Sequence, residues 1–214
     1  GDFVPIAEET GLIEQIDRVV LADACTRLSQ WRSLPGGEGL SISVNFSATE
    51  FLKADFAATI IGTITALGAP PDGIVLELTE SAMLHDIDSA AAVIERLRDT
   101  GLRVALDDFG AGYSSLRYLN RLRARIVKID RMFTRALPES AGDMGVIRAV
   151  IAVSRELGML PLAEGIETLP QLSWLRENGC LYGQGYLLSR PVDPSVAEAF
   201  VGRVLTPSQD DSPA

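Results

Sequence analysis

Acidic and amide side chains recur where short apolar runs of this chain end. Asn45 closes the first run, Glu77 lies in the second, the pair Asp107-Asp108 closes the third, and Glu164 follows the fifth. Oxygen ligands from Asp, Glu and Asn suit Mg²⁺ or Mn²⁺, and adjacent carboxylates suit a two-metal site. Such a site lowers the pKa of a bound water and prepares it to attack a phosphodiester.

The remaining charged residues fit the same chemistry. Lys128, in the fourth run, is placed to act as a point charge near a phosphate or the attacking water. Asp107 could bridge two ions while Asp108 serves one, and Glu164 could be a ligand or a proton acceptor. A glycosidase with paired carboxylates would explain the acids, but not Asn45, Lys128 and the adjacent aspartates as a set.

Composition excludes several other classes. A net charge of −10 argues against a general nucleic-acid surface, although cations could still join one phosphate ligand to an acidic pocket. A single histidine and two widely spaced cysteines do not suggest a zinc site or a disulfide framework. We expect reduced thiols, a cytoplasmic setting, no membrane segment and no signal peptide.

Strand and helix patterns alternate along the chain and must position these side chains. Alternation predicts a parallel sheet with outer helices. Polar residues at successive strand ends favour a TIM-barrel-like α/β fold over an open doubly wound sheet, because barrel strands converge on one mouth. The predicted strands are 40–46, 74–79, 104–107, 126–129, 160–163 and 182–187; the predicted helices are 10–31, 48–67, 89–99, 114–121, 143–157, 169–178 and 194–204. One domain spans 1–205, and 206–214 is predicted to be disordered.

Several segments, in order and with their spacing, resemble the EAL family of cyclic di-GMP phosphodiesterases. They are AEETGLI (7–13), SVNFS (43–47), LELTES (76–81), ALDDFGAGYSSLRYL (105–119), VKIDRMF (127–133), AEGIET (163–168) and GQGYLLSRP (183–191). The resemblance implies a variant TIM barrel that hydrolyses cyclic di-GMP to linear pGpG with Mg²⁺ or Mn²⁺.

The resemblance also implies roles for individual residues. It assigns metal binding to Asn45, Glu77, Asp107, Asp108 and Glu164, catalysis to Lys128, Glu164 and Glu167, substrate contacts to Gln184, Tyr186 and Arg190, and loop anchoring to Glu80. The run 108–113 resembles a mobile loop that couples metal binding to dimerisation, so a homodimer is expected. A diguanylate cyclase or sensor domain is expected upstream.

The chain also departs from the family pattern. The Glu-Ala-Leu signature and two strands that normally precede SVNFS are expected upstream of Gly1, so six strands alone should leave the barrel open. With one metal ligand missing, we expect this polypeptide to hydrolyse cyclic di-GMP poorly. Arg123-Ala124-Arg125 stands where a Pro and an Asp are common. A non-catalytic receptor or partner-binding EAL module is the alternative function.

Overall fold

The computed structural model describes residues 3–80, 83, 86–110 and 116–203, and the side chains of 116 and 117 are not described. The tail predicted for 206–214 and the 111–113 part of the run resembling a mobile loop lie outside these residues.

A six-stranded parallel sheet forms the centre of the fold. The strands pair in chain order, with each strand parallel to the next. A doubly wound sheet would reverse this order at a switch point, whereas barrel strands follow one another. The sheet curls into half a barrel, which confirms the predicted fold. The strands are β1 Ile42–Asn45, β2 Ile74–Thr79, β3 Arg103–Phe109, β4 Ile126–Ile129, β5 Leu160–Ala163 and β6 Tyr182–Gly183.

Helices follow most strands, and five of the described helices begin at side-chain caps. Ser47, Asp86, Asp130, Ser140 and Thr168 each accept a backbone N–H at a helix start. No helix in the described part of the chain has both the length and the apolar character that a bilayer crossing requires. The helices are α1 Val4–Thr10, α2 Ile13–Arg32, α3 Ala48–Phe51, α4 Phe56–Ala66, α5 Ile87–Asp99, α6 Leu116–Leu122, α7 Arg131–Thr134, α8 Ala141–Glu156, α9 Leu169–Glu177 and α10 Pro194–Glu198.

The two faces of the sheet carry different residues. Leu76, Leu106 and Val127 belong to the apolar core, which also includes residues of the helices. Successive strand residues point to opposite faces, so their neighbours Glu77 and Lys128 point to the inner face. Each fully buried Leu or Val contributes about 1.5–3 kcal/mol to folding. The outer face therefore stabilises the sheet and leaves the inner face for polar residues.

Several predicted boundaries were wrong. The predicted strand 182–187 ends at Gly183, because the chain turns at Gly185, where an added Cβ would lie 2.2 Å from the Ile166 backbone nitrogen and oxygen. The helix predicted at 10–31 is α2, which begins only at Ile13, after Gly11 with its φ of 73°, and α1 was not predicted. The helix predicted at 48–67 is interrupted between α3 and α4, and α7 was not predicted.

Candidate metal centre

Strand register brings residues from four neighbouring strands to one face. Glu77 pairs with Ala105, Ala105 with Ile126, and Lys128 with Leu162. Residues two apart share a face, so Asp107 lies with Ala105, and Glu164, just beyond β5, continues the row of Leu162. Thus Glu77, Asp107, Lys128 and Glu164 meet near the carboxyl ends of the strands.

Lys128 lies at the centre of this group. Its Nζ is 2.7 Å from Glu77 Oε2, 2.8 Å from Asp107 Oδ1 and 2.7 Å from Glu164 Oε1. An ammonium has three N–H donors, so each carboxylate can accept one. The Lys128 side chain is only 4% exposed. One buried cation thus holds together three acids from β2, β3 and the end of β5.

Burial and charge pairing act in opposite directions on these groups. Burial lowers the pKa of Lys128, but its hydrogen bonds with Asp107, Glu164 and Glu77 outweigh this and hold the pKa above its ordinary value. Burial raises the pKa of Glu164; Lys128 opposes this effect, and Asp107 and Glu77 add to it. Lys128 is therefore a permanent cation near neutral pH.

A β-bulge lets two consecutive aspartates reach the same place. Leu106 pairs with Val127 and Phe109 with Ile129, so β3 has one residue more than β4 over this span. Asp108, within the bulge, has a left-handed φ of 54°. In a regular strand Asp107 and Asp108 would point to opposite faces, and a bulge re-aims a side chain.

The result is a compact set of oxygen donors. One carboxylate oxygen each from Asp107, Asp108 and Glu164 lies within 4.8 Å of the others. Burial raises the pKa of Asp108, and the charges of Asp107 and Asp130 raise it further. An oxygen-only set with like charges this close fits a divalent cation such as Mg²⁺ or Mn²⁺.

Asn45 and Glu77, also predicted as ligands, lie next to this set. They are direct partners in the pairing of β1 with β2. The Asn45 side chain is exposed, whereas Glu77 is buried and bonded to Lys128. Among the described residues the three-acid group contains Asp107, Asp108 and Glu164 but not Glu77, and Asn45 would add an amide oxygen rather than a carboxylate.

An open cavity of about 420 Å³ adjoins Glu164. Gln184 Nε2 donates to Glu164 Oε1 at 2.8 Å, which ties the cavity to the acids. The Arg190 guanidinium lies 4.7 Å from the centre of the Tyr186 ring. The cavity thus brings together the predicted substrate residues and two predicted catalytic acids, since its lining includes Glu164, Glu167, Gln184, Tyr186 and Arg190.

Glu80 and Glu167 lie at the edges of the site. Glu80 is buried, and its Oε2 accepts the Gly110 N–H at 3.4 Å, two residues beyond Asp108. The role of loop anchor stays a prediction for Glu80. Gly110 has a φ of 100°, and an added Cβ would lie 2.7 Å from the Phe133 ring. Glu167 is exposed, and its backbone N–H donates to Gln171 at the start of α9.

Sequence reasoning missed two residues of this region. Asp130 caps α7 through the Met132 N–H at 2.6 Å and contributes to the raised pKa of Asp108. Arg131 lines the cavity beside Glu164. Both directly follow β4, and a polar pair at a strand end was the signal that could have identified them.

A model of the EAL domain matches residues 1–191 of this chain. The chain belongs to the EAL domain family. Curated relatives of this EAL domain include two proteins of Pseudomonas aeruginosa. The cyclic di-GMP phosphodiesterase NbdA is 40% identical over 199 residues, which are 93% of this chain and 25% of NbdA. The bifunctional diguanylate cyclase/cyclic di-GMP phosphodiesterase MucR is 40% identical over 90% of this chain and 28% of MucR. The chain thus spans about a quarter of the length of these relatives.

Solved structures also resemble this EAL domain. The PaMucR phosphodiesterase in complex with c-di-GMP has a TM-score of 0.87 and 38% identity, over 92% of this chain and 79% of that one. Klebsiella pneumoniae BlrP1 in complex with manganese and c-di-GMP has a TM-score of 0.73 and 30% identity, over 83% of this chain and 44% of that one. The acids of the inner face therefore lie in a fold that, in BlrP1, has been solved in complex with manganese and c-di-GMP.

Proposed function

We propose that this EAL domain is a metal-dependent phosphodiesterase that hydrolyses cyclic di-GMP to linear pGpG. One observation carries the proposal: carboxylates from three strands surround the Lys128 ammonium beside a cavity lined by Gln184, Tyr186 and Arg190. NbdA and MucR are named for cyclic di-GMP phosphodiesterase activity, which supports the choice of substrate.

Gln184, Tyr186 and Arg190 would bind the substrate. Tyr186 is 51% exposed and its ring lies against the Arg190 guanidinium, so both groups offer flat surfaces to a guanine base. Gln184, held by Glu164, would contact the phosphate end or the attacking water. The cavity would thus orient a phosphodiester toward the acids.

Asp107, Asp108 and Glu164, with Glu77 and Asn45 beside them, would hold Mg²⁺ or Mn²⁺ in a two-metal site. When bound, such ions lower the pKa of a water and stabilise charge that develops on the phosphate. The acids are prepared for this role, because three of their carboxylate oxygens already lie within 4.8 Å of one another. The raised pKa values of Asp108 and Glu164 reflect a local excess of negative charge and burial that a cation would relieve.

Lys128 would stabilise negative charge, and Glu164 would accept a proton. Lys128 keeps its proton and acts as a fixed positive charge near the phosphate or the attacking water. Glu164 would accept a proton from that water, with Glu167 as a supporting acid nearby. The water oxygen bonds to phosphorus, the bond from phosphorus to the 3′ oxygen breaks, and a proton ends on that 3′ oxygen.

A turnover assay tests the proposal. The polypeptide is incubated with cyclic di-GMP and Mn²⁺ or Mg²⁺, and pGpG is quantified by chromatography; D107N is the matched inactive variant. We expect metal-dependent pGpG formation that D107N abolishes. Tight binding of cyclic di-GMP in calcium with no turnover in any metal would instead support the receptor function.

We also propose that the 214-residue polypeptide turns over slowly, since the Glu-Ala-Leu ligand of the family pattern does not occur among its residues. A rate equal to that of MucR, measured alongside, would contradict this. A homodimer is proposed from the family resemblance, and analytical ultracentrifugation with and without Mn²⁺ tests it. An upstream diguanylate cyclase, present by name in MucR, is proposed as a partner domain.

A further inference from the structure

A second cavity, of about 530 Å³, lies at the opposite ends of the same strands. Arg103 is the first residue of β3, Arg125 directly precedes β4, and Met159 directly precedes β5, and all three line it. From Arg103 to Asp107 the strand rises about 13 Å, so this cavity is separate from the acids.

Four arginines line this cavity: Arg98, Arg103, Arg123 and Arg125. None of its described lining residues is acidic. The whole chain has 19 basic residues and a net charge of −10, so four arginines around one cavity run against the overall charge. A positive cavity in an acidic protein concentrates anions from solution.

Neighbouring residues neutralise the positive charge of these arginines only in part. Arg103 Nη2 donates to the Asp72 carbonyl oxygen at 2.5 Å and Arg125 Nη1 to the Gly158 carbonyl oxygen at 3.2 Å, and a carbonyl carries no net charge. The Asp72 carboxylate is instead bonded to Arg32 at 2.9 and 3.2 Å. Arg98 has a Glu95 oxygen at 3.9 Å, beyond hydrogen-bond distance.

Arg103 shows the effect of this imbalance. Its Nε is buried and has no hydrogen-bond partner among the described residues. Burial lowers the pKa of the Arg103 guanidinium; Asp72 opposes this, and the charges of Arg32 and Arg125 lower it further. A buried donor without a partner is destabilising, and an anion in the cavity would offset part of this cost.

The segment between α6 and β4 holds two of the arginines at the rim. Arg123 adopts a left-handed φ of 49°, a strained conformation for a residue other than glycine. Both Arg123 and Arg125 are exposed on the rim. Their guanidinium groups are therefore accessible to a ligand, although Arg125 Nη1 also donates to the Gly158 carbonyl oxygen.

The inner wall of the cavity is apolar. Ile94, Leu102, Val104, Leu119 and Leu157 line it. A volume of this size suits a small organic ligand, because ligand cavities usually measure about 300–1,000 Å³. Inorganic phosphate would leave the apolar wall uncovered, whereas a phosphate attached to a flat base would use both the wall and the rim.

We propose that this cavity binds a nucleotide, with its phosphate on Arg123 and Arg125 and its base against the apolar wall. Guanidinium groups bind phosphate through paired hydrogen bonds and stack on planar bases. The site is distinct from the acidic centre and needs no metal.

Calorimetric titration of the whole chain with GMP in EDTA tests the proposal, since EDTA removes divalent cations from the acidic centre. R123Q/R125Q removes both rim charges, and R18Q/R27Q, on α2, is the matched control with the same change in net charge. We expect saturable binding that weakens at least tenfold, about 1.4 kcal/mol, in R123Q/R125Q. R18Q/R27Q and D107N should bind GMP like the parent chain.

Three results would overturn the proposal: no saturable binding of GMP, equal weakening in R18Q/R27Q, or loss of binding in D107N. Inorganic phosphate that binds as tightly as GMP would also overturn it, because the apolar wall would then contribute nothing. If R123Q/R125Q does not fold, as judged by circular dichroism, R98Q replaces it, since the one ion pair of Arg98 in the described part of the chain is the 3.9 Å contact with Glu95. R98Q should then weaken GMP binding, and an unchanged affinity would count against the proposal.

Discussion

Two groups of largely buried acids in this domain neutralise their charge in different ways. In the first, Glu77, Asp107 and Glu164 surround the Lys128 ammonium at the strand ends. The second is the pair of Asp17 on α2 and Glu50 on α3, which are 6% and 5% exposed.

In the second group a proton takes the place of the cation. Burial raises the pKa of Glu50 to about 8, and a hydrogen bond to Asp17 and the charge of Asp17 add to the effect. Asp17 Oδ2 and Glu50 Oε2 have no partner among the described residues, and the nearby Lys53 ammonium contacts Glu14 instead. Glu50 is thus largely protonated below about pH 8.

Comparison of the two groups shows that burial of carboxylates alone does not indicate a metal site. Carboxylates that are charged beside an ammonium can also bind a metal ion. A carboxyl pair that holds a proton has fewer charged oxygens for a metal. The position also differs, because the first group lies at the carboxyl ends of parallel strands and adjoins a cavity. Four substitutions test this contrast.

Lys128→Met should have the largest effect. Removal of the ammonium leaves three carboxylates without their buried cation, and breaking a buried ion pair costs about 3–5 kcal/mol of folding free energy. Urea denaturation in EDTA at pH 7 measures the loss. Lys53→Met is the control, because the exposed Lys53–Glu14 pair should contribute little. Equal losses in the two variants would contradict the central role of Lys128.

Asp107→Asn should weaken Mn²⁺ binding at least about tenfold, or about 1.4 kcal/mol, because it removes a charged oxygen from the three-acid set. Glu50→Gln removes a more deeply buried acid elsewhere and should leave Mn²⁺ affinity unchanged. Titration of free Mn²⁺ by electron paramagnetic resonance measures both. A similar loss in both variants would mean that the two groups do not differ as described.

Glu50→Gln should change how stability depends on pH. Between about pH 5 and pH 8 the folded parent chain holds more protons than the unfolded chain, since the pKa of Glu50 is raised to about 8 from 4.5. The unfolding free energy of the parent chain therefore falls as pH rises through this window. The fall is at most about 1.4 kcal/mol for each pH unit. Glu50→Gln should remove this fall. Urea denaturation at pH 5, 6.5 and 8 measures the unfolding free energy of both chains. An unaltered slope of this free energy against pH would contradict a proton held by the Asp17–Glu50 pair.

Ser47→Ala should have the smallest effect. The Ser47 hydroxyl accepts the Glu50 N–H at 3.3 Å and caps the helix that carries Glu50, and loss of such a cap costs about 1 kcal/mol. The fall of stability with pH should remain, because both carboxyls are still present. Ser33→Ala, an exposed serine that follows a helix, is the control in the same denaturation experiment. Loss of the pH dependence in Ser47→Ala would show that the cap, rather than burial, sets the Glu50 pKa.

Much of the fold could be predicted from local pattern. The strands 74–79, 126–129 and 160–163 match the structure, because each is a short apolar run bounded by polar or turn residues. The turn at Gly185 could not be predicted, because it depends on the close approach of Ile166, which is distant in the chain. The predicted placement of acids at strand ends follows from the same pattern, and their functional roles remain proposals.

The sequence by itself determined the residue types at the strand ends, the parallel barrel-like fold and membership of the EAL family. The pairing of each acidic side chain with its basic partner depends on the tertiary structure. Glu77 and Lys128 are 51 positions apart in the chain, yet their atoms lie 2.7 Å apart. The bulge at Asp108 and the arginine cluster at the amino ends of the strands likewise depend on strand register. Charge compensation acts over a few ångströms in space, a distance that spacing along the chain does not specify.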